Sequence, residues 1–229
     1  MRRRFPLIIA HRGAPGRREN TVEGFLAGIA AGAEWVELDV HQIGDGAVVV
    51  HHDPGIGSRK LARCTLEAAR ELARRRKHIA LPTLDEVLEA IPKSIGVNVE
   101  IKDRRAARAV LAVLNRHKAV ERALCSSFHW EVVRELAPLR PRVRTGILTP
   151  RRLDDPVDSI RRARASAIIH EYHTVKPAQV HEVQRAGFWF VVWTVNLGGA
   201  LRRMEELGVD GIATDYPERL ARIRREVNS

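Results

Sequence analysis

The chain has 229 residues, of which 45% are hydrophobic and 29% are charged, and its formal net charge is +11. This composition predicts one domain over residues 1–229 with a substantial core, and no apolar run approaches the roughly 18 residues of a membrane-spanning helix, which argues against stable membrane insertion. The positive charge would suit a polyanion or a phosphorylated substrate, but the arginines are spread over polar stripes of predicted helices, which favours a solvated surface over a nucleic-acid site.

Short β-rich runs alternate with segments of helical periodicity along the whole chain. This is the pattern of repeated βα units and predicts a parallel sheet. The predicted strands are residues 7–11, 35–40, 47–52, 96–102, 124–128, 144–148, 167–172, 188–195 and 211–215. The predicted helices are residues 21–31, 65–76, 83–91, 104–117, 130–136, 177–186 and 200–207.

The second and third predicted strands are joined without a helix, through a loop that contains Asp45 and Gly46. An Asp-Gly pair favours a two-residue type I′ hairpin turn. With that turn, Asp39 lies across from His52, and Glu37 shares their face because residues two apart on a strand point the same way. Without the return strand of this hairpin, eight strands are left, which predicts a (β/α)8 TIM barrel.

Two histidines end predicted strands. His11 ends the first strand and is followed by Arg12, and His52 ends the return strand of the hairpin and is followed by Asp53. In a β/α barrel, active-site residues collect at the carboxyl ends of the strands. Two histidines from separate strand ends offer a proton acceptor and a proton donor near neutral pH, which cleavage of a phosphodiester requires.

Three acidic side chains occur in otherwise apolar strands. Glu37 and Asp39 share one face of the second predicted strand, and Glu100 lies on the fourth, two residues before Lys102. A charge that points into a barrel is costly unless it is paired or bound to metal. One interpretation is a structural salt-bridge network of the three acids with Arg12 and Lys102. The other is a hard oxygen site suited to Ca²⁺ or Mg²⁺.

The order and spacing of these residues resemble the glycerophosphodiester phosphodiesterase family from end to end. The resemblance rests on short motifs whose order and spacing are specific only when taken together. In chain order they are His11-Arg12-Gly13, Glu19-Asn20-Thr21 with Phe25, the run from Gly32 to Val40, Asp45-Gly46, Val50-His51-His52-Asp53, the run from Leu81 to Leu88, Val99-Glu100-Ile101-Lys102, Ser127-Phe128, Trp193-Thr194-Val195-Asn196 and the run from Gly211 to Asp215.

The resemblance implies a fold and a role for each matching residue. The fold is a TIM barrel with a small insertion after the second strand region, which suits residues 53–81; residues 42–44 and 58–63 depart from the usual pattern. The implied roles are a catalytic pair, two phosphate-binding cations, three metal ligands and an aromatic side chain beside the glycerol moiety. These are, in the same order, His11 and His52; Arg12 and Lys102; Glu37, Asp39 and Glu100; and Trp193.

We therefore expect metal-dependent hydrolysis of glycerophosphodiesters to sn-glycerol 3-phosphate and an alcohol, with Ca²⁺ or Mg²⁺ as cofactor. The alternatives are a lysophospholipase D, which would need an apolar entrance, and a non-catalytic barrel that binds phosphate. Asn196 and Asp215 follow late strands, where they could position groups or act as caps. Cys64 and Cys125 have no neighbours typical of a zinc or redox motif, which favours a reducing cytoplasm.

Overall fold

A computed structural model describes residues 5–13, 18–77, 80–139 and 142–228. Strands and helices alternate along the chain, as the sequence pattern predicts. The strands are β1 (Leu7–Ala10), β2 (Trp35–Gln42), β3 (Val48–Val50), β4 (Gly55–Ile56), β5 (Arg59–Lys60), β6 (Gly96–Ile101), β7 (Ala123–Ser127), β8 (Arg144–Thr149), β9 (Ala167–Glu171), β10 (Trp189–Trp193) and β11 (Gly211–Thr214). The helices are α1 (Val22–Ala30), α2 (Leu66–Lys77), α3 (Leu84–Ala90), α4 (Ala107–Arg116), α5 (Trp130–Leu139), α6 (Pro156–Arg162), α7 (Pro177–Arg185), α8 (Gly198–Glu206) and α9 (Pro217–Asn228).

Eight parallel strands form a closed ring. Their order is β1, β11, β10, β9, β8, β7, β6 and β2, and β2 pairs again with β1. The strand β3 lies outside the ring and pairs with β2 in the antiparallel direction. The predicted (β/α)8 TIM barrel is confirmed, and so is the assignment of the surplus strand to the hairpin.

The register of the hairpin differs from the prediction by one residue. Val40 pairs with Val50, and the backbone N–H of Ile43 donates to the carbonyl of Ala47, so the loop contains three residues. Gly46 ends that loop with a left-handed φ of +91°, which is common in three-residue hairpin loops. The predicted two-residue turn is therefore wrong.

Two predicted details of the return strand change as a consequence. The strand β3 ends at Val50, so His52 lies in the loop that follows and not on the strand. The carbonyl of Asp39 accepts the N–H of His51 at 2.9 Å, so His51, and not His52, is the residue across from Asp39. Strand alternation alone therefore does not fix the direction of the His52 ring.

The described residues 53–77 and 80–81 belong to the predicted insertion. It contains the two-stranded hairpin β4–β5, a 3₁₀ turn at Leu61–Arg63 and the helix α2. Its apolar side chains pack on the outer side of the β2–β3 hairpin in a separate cluster. The side chain of Asp45 joins the two parts, because its Oδ2 accepts the N–H of Leu66 at 2.7 Å.

Two helices in the structure were not predicted from the sequence, α6 and α9. Each begins at a proline in its first turn, a position at which proline costs no hydrogen bond. The Asp155 side chain also accepts the N–H of Asp158 at 2.7 Å and so caps α6. Within the residues that the structure describes, no helix is long and apolar enough to cross a membrane.

The interior of the barrel is apolar at the amino ends of the strands and polar at the carboxyl ends. Trp35 and Trp189 meet edge to face near the amino end, with their ring centroids 6.0 Å apart. Ile9, Leu124 and Val191 belong to the same buried cluster. This apolar layer fills the amino end of the barrel. The ionisable side chains of the interior collect at the carboxyl ends of the strands.

Candidate active site

Three buried carboxylates meet at the carboxyl ends of β2 and β6. Glu37 and Asp39 lie on β2, and Asp39 is paired in register with Glu100 on β6. Their relative exposures are 4%, 1% and 9%, and one oxygen from each lies within 4.8 Å of the others. The structure thus brings together the three residues that the sequence predicts as metal ligands.

Two basic side chains contact this acidic cluster. Lys102 Nζ lies 3.1 Å from an oxygen of Asp39 and 2.5 Å from one of Glu100, and Arg12 Nε lies 3.2 Å from Asp39. The Arg12 backbone adopts a left-handed φ of +52°, and its N–H donates to Glu37 Oε2 at 3.0 Å. The other oxygen, Glu37 Oε1, is buried without a hydrogen-bond partner among the described residues. The ion pairs of the salt-bridge interpretation therefore exist, but they leave this oxygen unsatisfied.

The three carboxyl groups of the acidic cluster oppose one another's ionisation. Burial and the charge of Asp39 raise the pKa of Glu37 to about 8. Burial and the charge of Asp39 also raise the pKa of Glu100, while Lys102 and His52 act in the opposite direction. Burial would raise the pKa of Asp39 as well, but Lys102 and Arg12 outweigh it and the pKa is lowered. Three carboxylates with a free buried oxygen are a donor set that fits a hard divalent cation.

Asn20 fixes the orientation of Asp39. Its Nδ2 donates to Asp39 Oδ2 at 2.8 Å, and its Oδ1 accepts the backbone N–H of Asp39 at 3.1 Å. Asn20 is 4% exposed and has a left-handed φ of +56°, a conformation that asparagine tolerates better than most residues. Reasoning from the sequence gave it no role, because nothing in its position shows that its loop folds back onto β2.

His11 is held by a carboxylate from the last strand region. Its Nδ1 lies 2.7 Å from Asp215 Oδ1, and its Nε2 lies 3.9 Å from Glu37 Oε2. Burial lowers the pKa of His11, but the hydrogen bond to Asp215 and the charge of Glu37 outweigh it and raise the pKa. Asn196 in turn donates to Asp215 Oδ2 at 2.6 Å and accepts the Asp215 backbone N–H at 2.9 Å. Asn196 and Asp215 thus position His11.

His52 lies close enough to the acidic cluster to act electrostatically on Glu100. Its Nδ1 is 2.8 Å from the Oδ1 of the next residue, Asp53. The side chain of His52 is 44% exposed, and that of Asp53 is 68% exposed. His52 therefore has the same Nδ1–carboxylate arrangement as His11, but in a more open position.

Two aromatic side chains, Phe128 and Trp193, lie near Lys102. Trp193 meets Phe128 edge to face with ring centroids 5.6 Å apart, and Lys102 Nζ lies 5.8 Å from the Phe128 centroid. The indole N–H of Trp193 donates to the carbonyl of Ile169 at 3.2 Å, which fixes the ring. Phe128 thus lies next to both Lys102 and Trp193.

A closed barrel with ionisable side chains at the carboxyl ends of its strands defines a TIM-barrel enzyme. The model of the glycerophosphoryl diester phosphodiesterase family matches residues 11–219. The glycerophosphodiester phosphodiesterase of Caldanaerobacter subterraneus subsp. tengcongensis is 31% identical, over 96% of this chain and 98% of that protein. The chain therefore belongs to this family of enzymes, as the sequence motifs predict.

Solved structures have the same fold. A glycerophosphodiester phosphodiesterase from Parabacteroides distasonis has a TM-score of 0.88 and 26% identity, with 98% of both chains covered. A phosphodiesterase from Oleispira antarctica, solved in complex with the product sn-glycerol-3-phosphate, has a TM-score of 0.84 and 23% identity, again over 98% of both chains. The barrel architecture is therefore that of solved members of the family.

Proposed function

We propose that this chain hydrolyses glycerophosphodiesters to sn-glycerol 3-phosphate and an alcohol with the help of a divalent cation. The observation that carries the proposal is the cluster of Glu37, Asp39 and Glu100, whose oxygens lie within 4.8 Å of one another. A barrel fold alone would not decide the function. The ligand set beside a carboxylate-bound histidine is what supports phosphodiester chemistry.

Glu37, Asp39 and Glu100 would hold the cation, and Ca²⁺ or Mg²⁺ suits their oxygen ligands. When bound, the cation supplies positive charge that polarises hydroxyl and phosphate oxygens of the substrate. Arg12 and Lys102 border the same cluster. We assign them to the phosphoryl oxygens, where their charge stabilises the negative charge that develops during the reaction.

His11 and His52 are the proposed acid and base. A carboxylate accepts hydrogen bonds only, so the Nδ1 atom of each ring carries a hydrogen and Nε2 is left for proton transfer. One histidine removes the proton of the glycerol 2-hydroxyl, which attacks phosphorus, and the other protonates the alcohol that leaves. Water then opens the cyclic phosphate with the two roles exchanged. Trp193 is proposed to pack on the glycerol carbons.

The remaining parts of the proposal concern the setting of the reaction. The substrate is a small molecule, and the chain is one domain over residues 1–229 that works in the cytoplasm. Neither nucleic acid nor stable membrane insertion is part of this function.

The test is release of sn-glycerol 3-phosphate from a panel of glycerophosphodiesters, with Ca²⁺ or Mg²⁺ and with excess chelator. We expect turnover that chelation abolishes, and a loss of at least ~10²-fold in His11→Ala and in His52→Ala, since general acid–base catalysis is worth that much. Glu37→Gln should weaken metal binding in calorimetric titration. His181→Ala, at an exposed position on α7, is the matched control and should keep full turnover. No release from any member, with Ca²⁺, Mg²⁺ or Mn²⁺ added, would favour a phosphate-binding barrel.

A lysophospholipase D activity is the second candidate. It is favoured by exposed apolar side chains near the mouth of the barrel, which is the end formed by the carboxyl ends of the strands. Phe128 is 39% exposed and Leu197 is 66% exposed. Both follow strands whose carboxyl ends form the mouth. Lysophosphatidylcholine in the same panel tests this candidate, and faster release of choline from it than from glycerophosphocholine would make it the main activity.

A further inference from the structure

His41 contacts the backbone of the residue that we propose as a catalytic histidine. His41 lies on β2 and is 6% exposed, and its Nε2 is 3.1 Å from the carbonyl oxygen of His52. Because a carbonyl only accepts hydrogen bonds, Nε2 is the donor. The bond thus joins a buried ring to the main chain of the loop that presents His52.

The loop after β3 has a backbone hydrogen bond on either side of His52, and on the later side the carbonyl of Pro54 accepts the N–H of Leu61 at 3.0 Å. The antiparallel pairing with β2 ends where the N–H of His51 donates to the carbonyl of Asp39. Among the described residues, the ring of His52 is hydrogen-bonded to its own neighbour, Asp53, and 44% of its side chain is exposed. A bond within the loop cannot fix where the loop itself lies relative to the barrel.

The position of His41 on the strand explains why it can supply this restraint. Side chains two apart on a strand share a face, so the His41 side chain lies on the same face of β2 as those of Glu37 and Asp39. The strand β2 pairs with β6 up to Val40, and at His41 it pairs with Val49 of β3. The His41 ring therefore links the loop to the strand that carries two of the three acids.

We propose that His41 is a positioning residue that holds His52 beside the acidic cluster through its carbonyl. One face of β2 then carries the pattern Glu-x-Asp-x-His, with two cluster carboxylates followed by the residue that fixes the loop of the partner histidine. The inference rests on the proposed function for the role of His52, whereas the hydrogen bond between His41 and the His52 carbonyl is observed directly.

The first arm of the test measures the loop and needs no turnover. In hydrogen-exchange mass spectrometry, His41→Phe should speed the exchange of amides in residues 51–56, since the loop loses its side-chain hydrogen bond to β2. His41→Gln should keep the slow exchange, because its side-chain amide can donate to the same carbonyl. His117→Phe is the matched control. His117 is a half-buried histidine at the carboxyl end of α4 and is hydrogen-bonded to Asp85, so its loss should leave the exchange of residues 51–56 unchanged. Exchange in His41→Phe that equals the wild type would overturn the inference.

The second arm measures turnover of glycerophosphocholine. We expect His41→Phe to lower kcat by about 10- to 100-fold, as a displaced catalytic group does, with little change in KM. His41→Gln should restore most of it. In a His52→Ala background, His41→Phe should cost no more than about twofold, because the group that it positions is gone. Equal losses in both backgrounds would mean a general structural role and would overturn the inference. A wild type without turnover would refute the proposed function, and the exchange arm alone would then decide.

Discussion

His11 and His52 have the same hydrogen-bond pattern but very different support. The carboxylate on His11 comes from residue 215, is 26% exposed, and is itself held by Asn196. The carboxylate on His52 belongs to the next residue and is 68% exposed. The direction of His11 is therefore set by the closed barrel, whereas that of His52 depends on its loop.

Asp215→Asn should lower kcat/KM by about 10²-fold or more with folding intact, the loss expected for a general acid or base in the wrong tautomer. Asn196 already donates to Asp215 Oδ2, so the new amide group would turn its NH₂ toward His11 and favour the ring without a hydrogen on Nδ1. The measurement is steady-state turnover together with far-UV circular dichroism.

Asp158→Asn is the control for this change, since Asp158 is a half-exposed residue of α6 paired with Arg162. It should keep wild-type kinetics. Wild-type turnover of Asp215→Asn at neutral pH would remove Asp215 from the machinery.

The substrate's own 2-hydroxyl should be essential. An internal hydroxyl held near phosphorus reacts with a high effective concentration, worth up to several kcal/mol of barrier. The 2-deoxy analogue of glycerophosphocholine should therefore bind but turn over very slowly, and Trp193→Ala should harm glycerol diesters more than an activated aryl diester. Turnover rates and ³¹P NMR of the cyclic phosphate measure this. Equal rates on both substrates, with no cyclic species, would point to direct attack by water.

At this scale the sequence supports the acids, the histidines and the basic partners Arg12 and Lys102, but not the contacts of Asn20 or of Asp215. Glu37 and Asp39 could be placed together because strand alternation is a local rule. Asn20 and the pair of Asp215 with His11 could not, because their contacts depend on how distant segments meet. His41 was missed for a more local reason, because the predicted register of the hairpin was wrong by one residue.

Among the elements, α1 packs unusually close to the loop that carries His11. A Cβ at Gly28 would lie 2.4 Å from the carbonyl oxygen of Gly13 and 2.8 Å from Ala10 Cβ. Both neighbours are main-chain or short groups that cannot turn away. A glycine at this point of the helix therefore allows α1 and the end of β1 to touch.

Gly28→Ala should lower the free energy of unfolding by about 1–3 kcal/mol, the usual cost of overpacking, despite the better helix propensity of alanine. It should also lower turnover, because the displaced loop carries His11 and Arg12. Urea denaturation measures the first effect and the diester assay the second.

Gly199→Ala is the matched control, because nothing lies within 4 Å of a Cβ at that helical position on α8. It should raise the free energy of unfolding by about 0.4–1 kcal/mol. A Gly28 variant as stable as the Gly199 variant would show that α1 can move away from the loop at little cost.

The elements themselves were predictable where the local pattern was strong. Each ring strand was predicted to within two residues at either end, because buried parallel strands are short apolar runs. The hairpin turn was misjudged because the Asp45 side chain is used to bind the first turn of α2, in a three-residue loop. The helices α6 and α9 each start at a proline, and Asp155 adds a capping signal for α6 alone.

For the whole molecule, burial of both thiols gives a simple test of native packing. Cys64 is 4% exposed and Cys125 is not exposed, and burial raises the pKa of the Cys125 thiol to about 12. Because both sulfur atoms are buried out of reach and Cys125 also stays protonated, neither should react with an aromatic disulfide reagent at pH 8 in the native state. Both should react in denaturant.

Ser58→Cys supplies the positive control, since Ser58 is exposed in the turn of the β4–β5 hairpin. Its thiol should react within the mixing time while the two native thiols stay silent. Rapid labelling of the native wild type would contradict the burial of Cys64 or of Cys125.

The contact of His11 with Asp215 also determines when in the life of the chain the site can exist. The two residues are separated by 204 positions in sequence, and their strands, β1 and β11, become neighbours when the ring closes. Contacts between such distant residues are made late, after the entropy of a very long loop has been lost. A nascent or partly folded chain can carry the acids of β2 and the lysine that follows β6, but it cannot orient His11. With the role that we propose for His11, hydrolysis therefore requires the closed barrel.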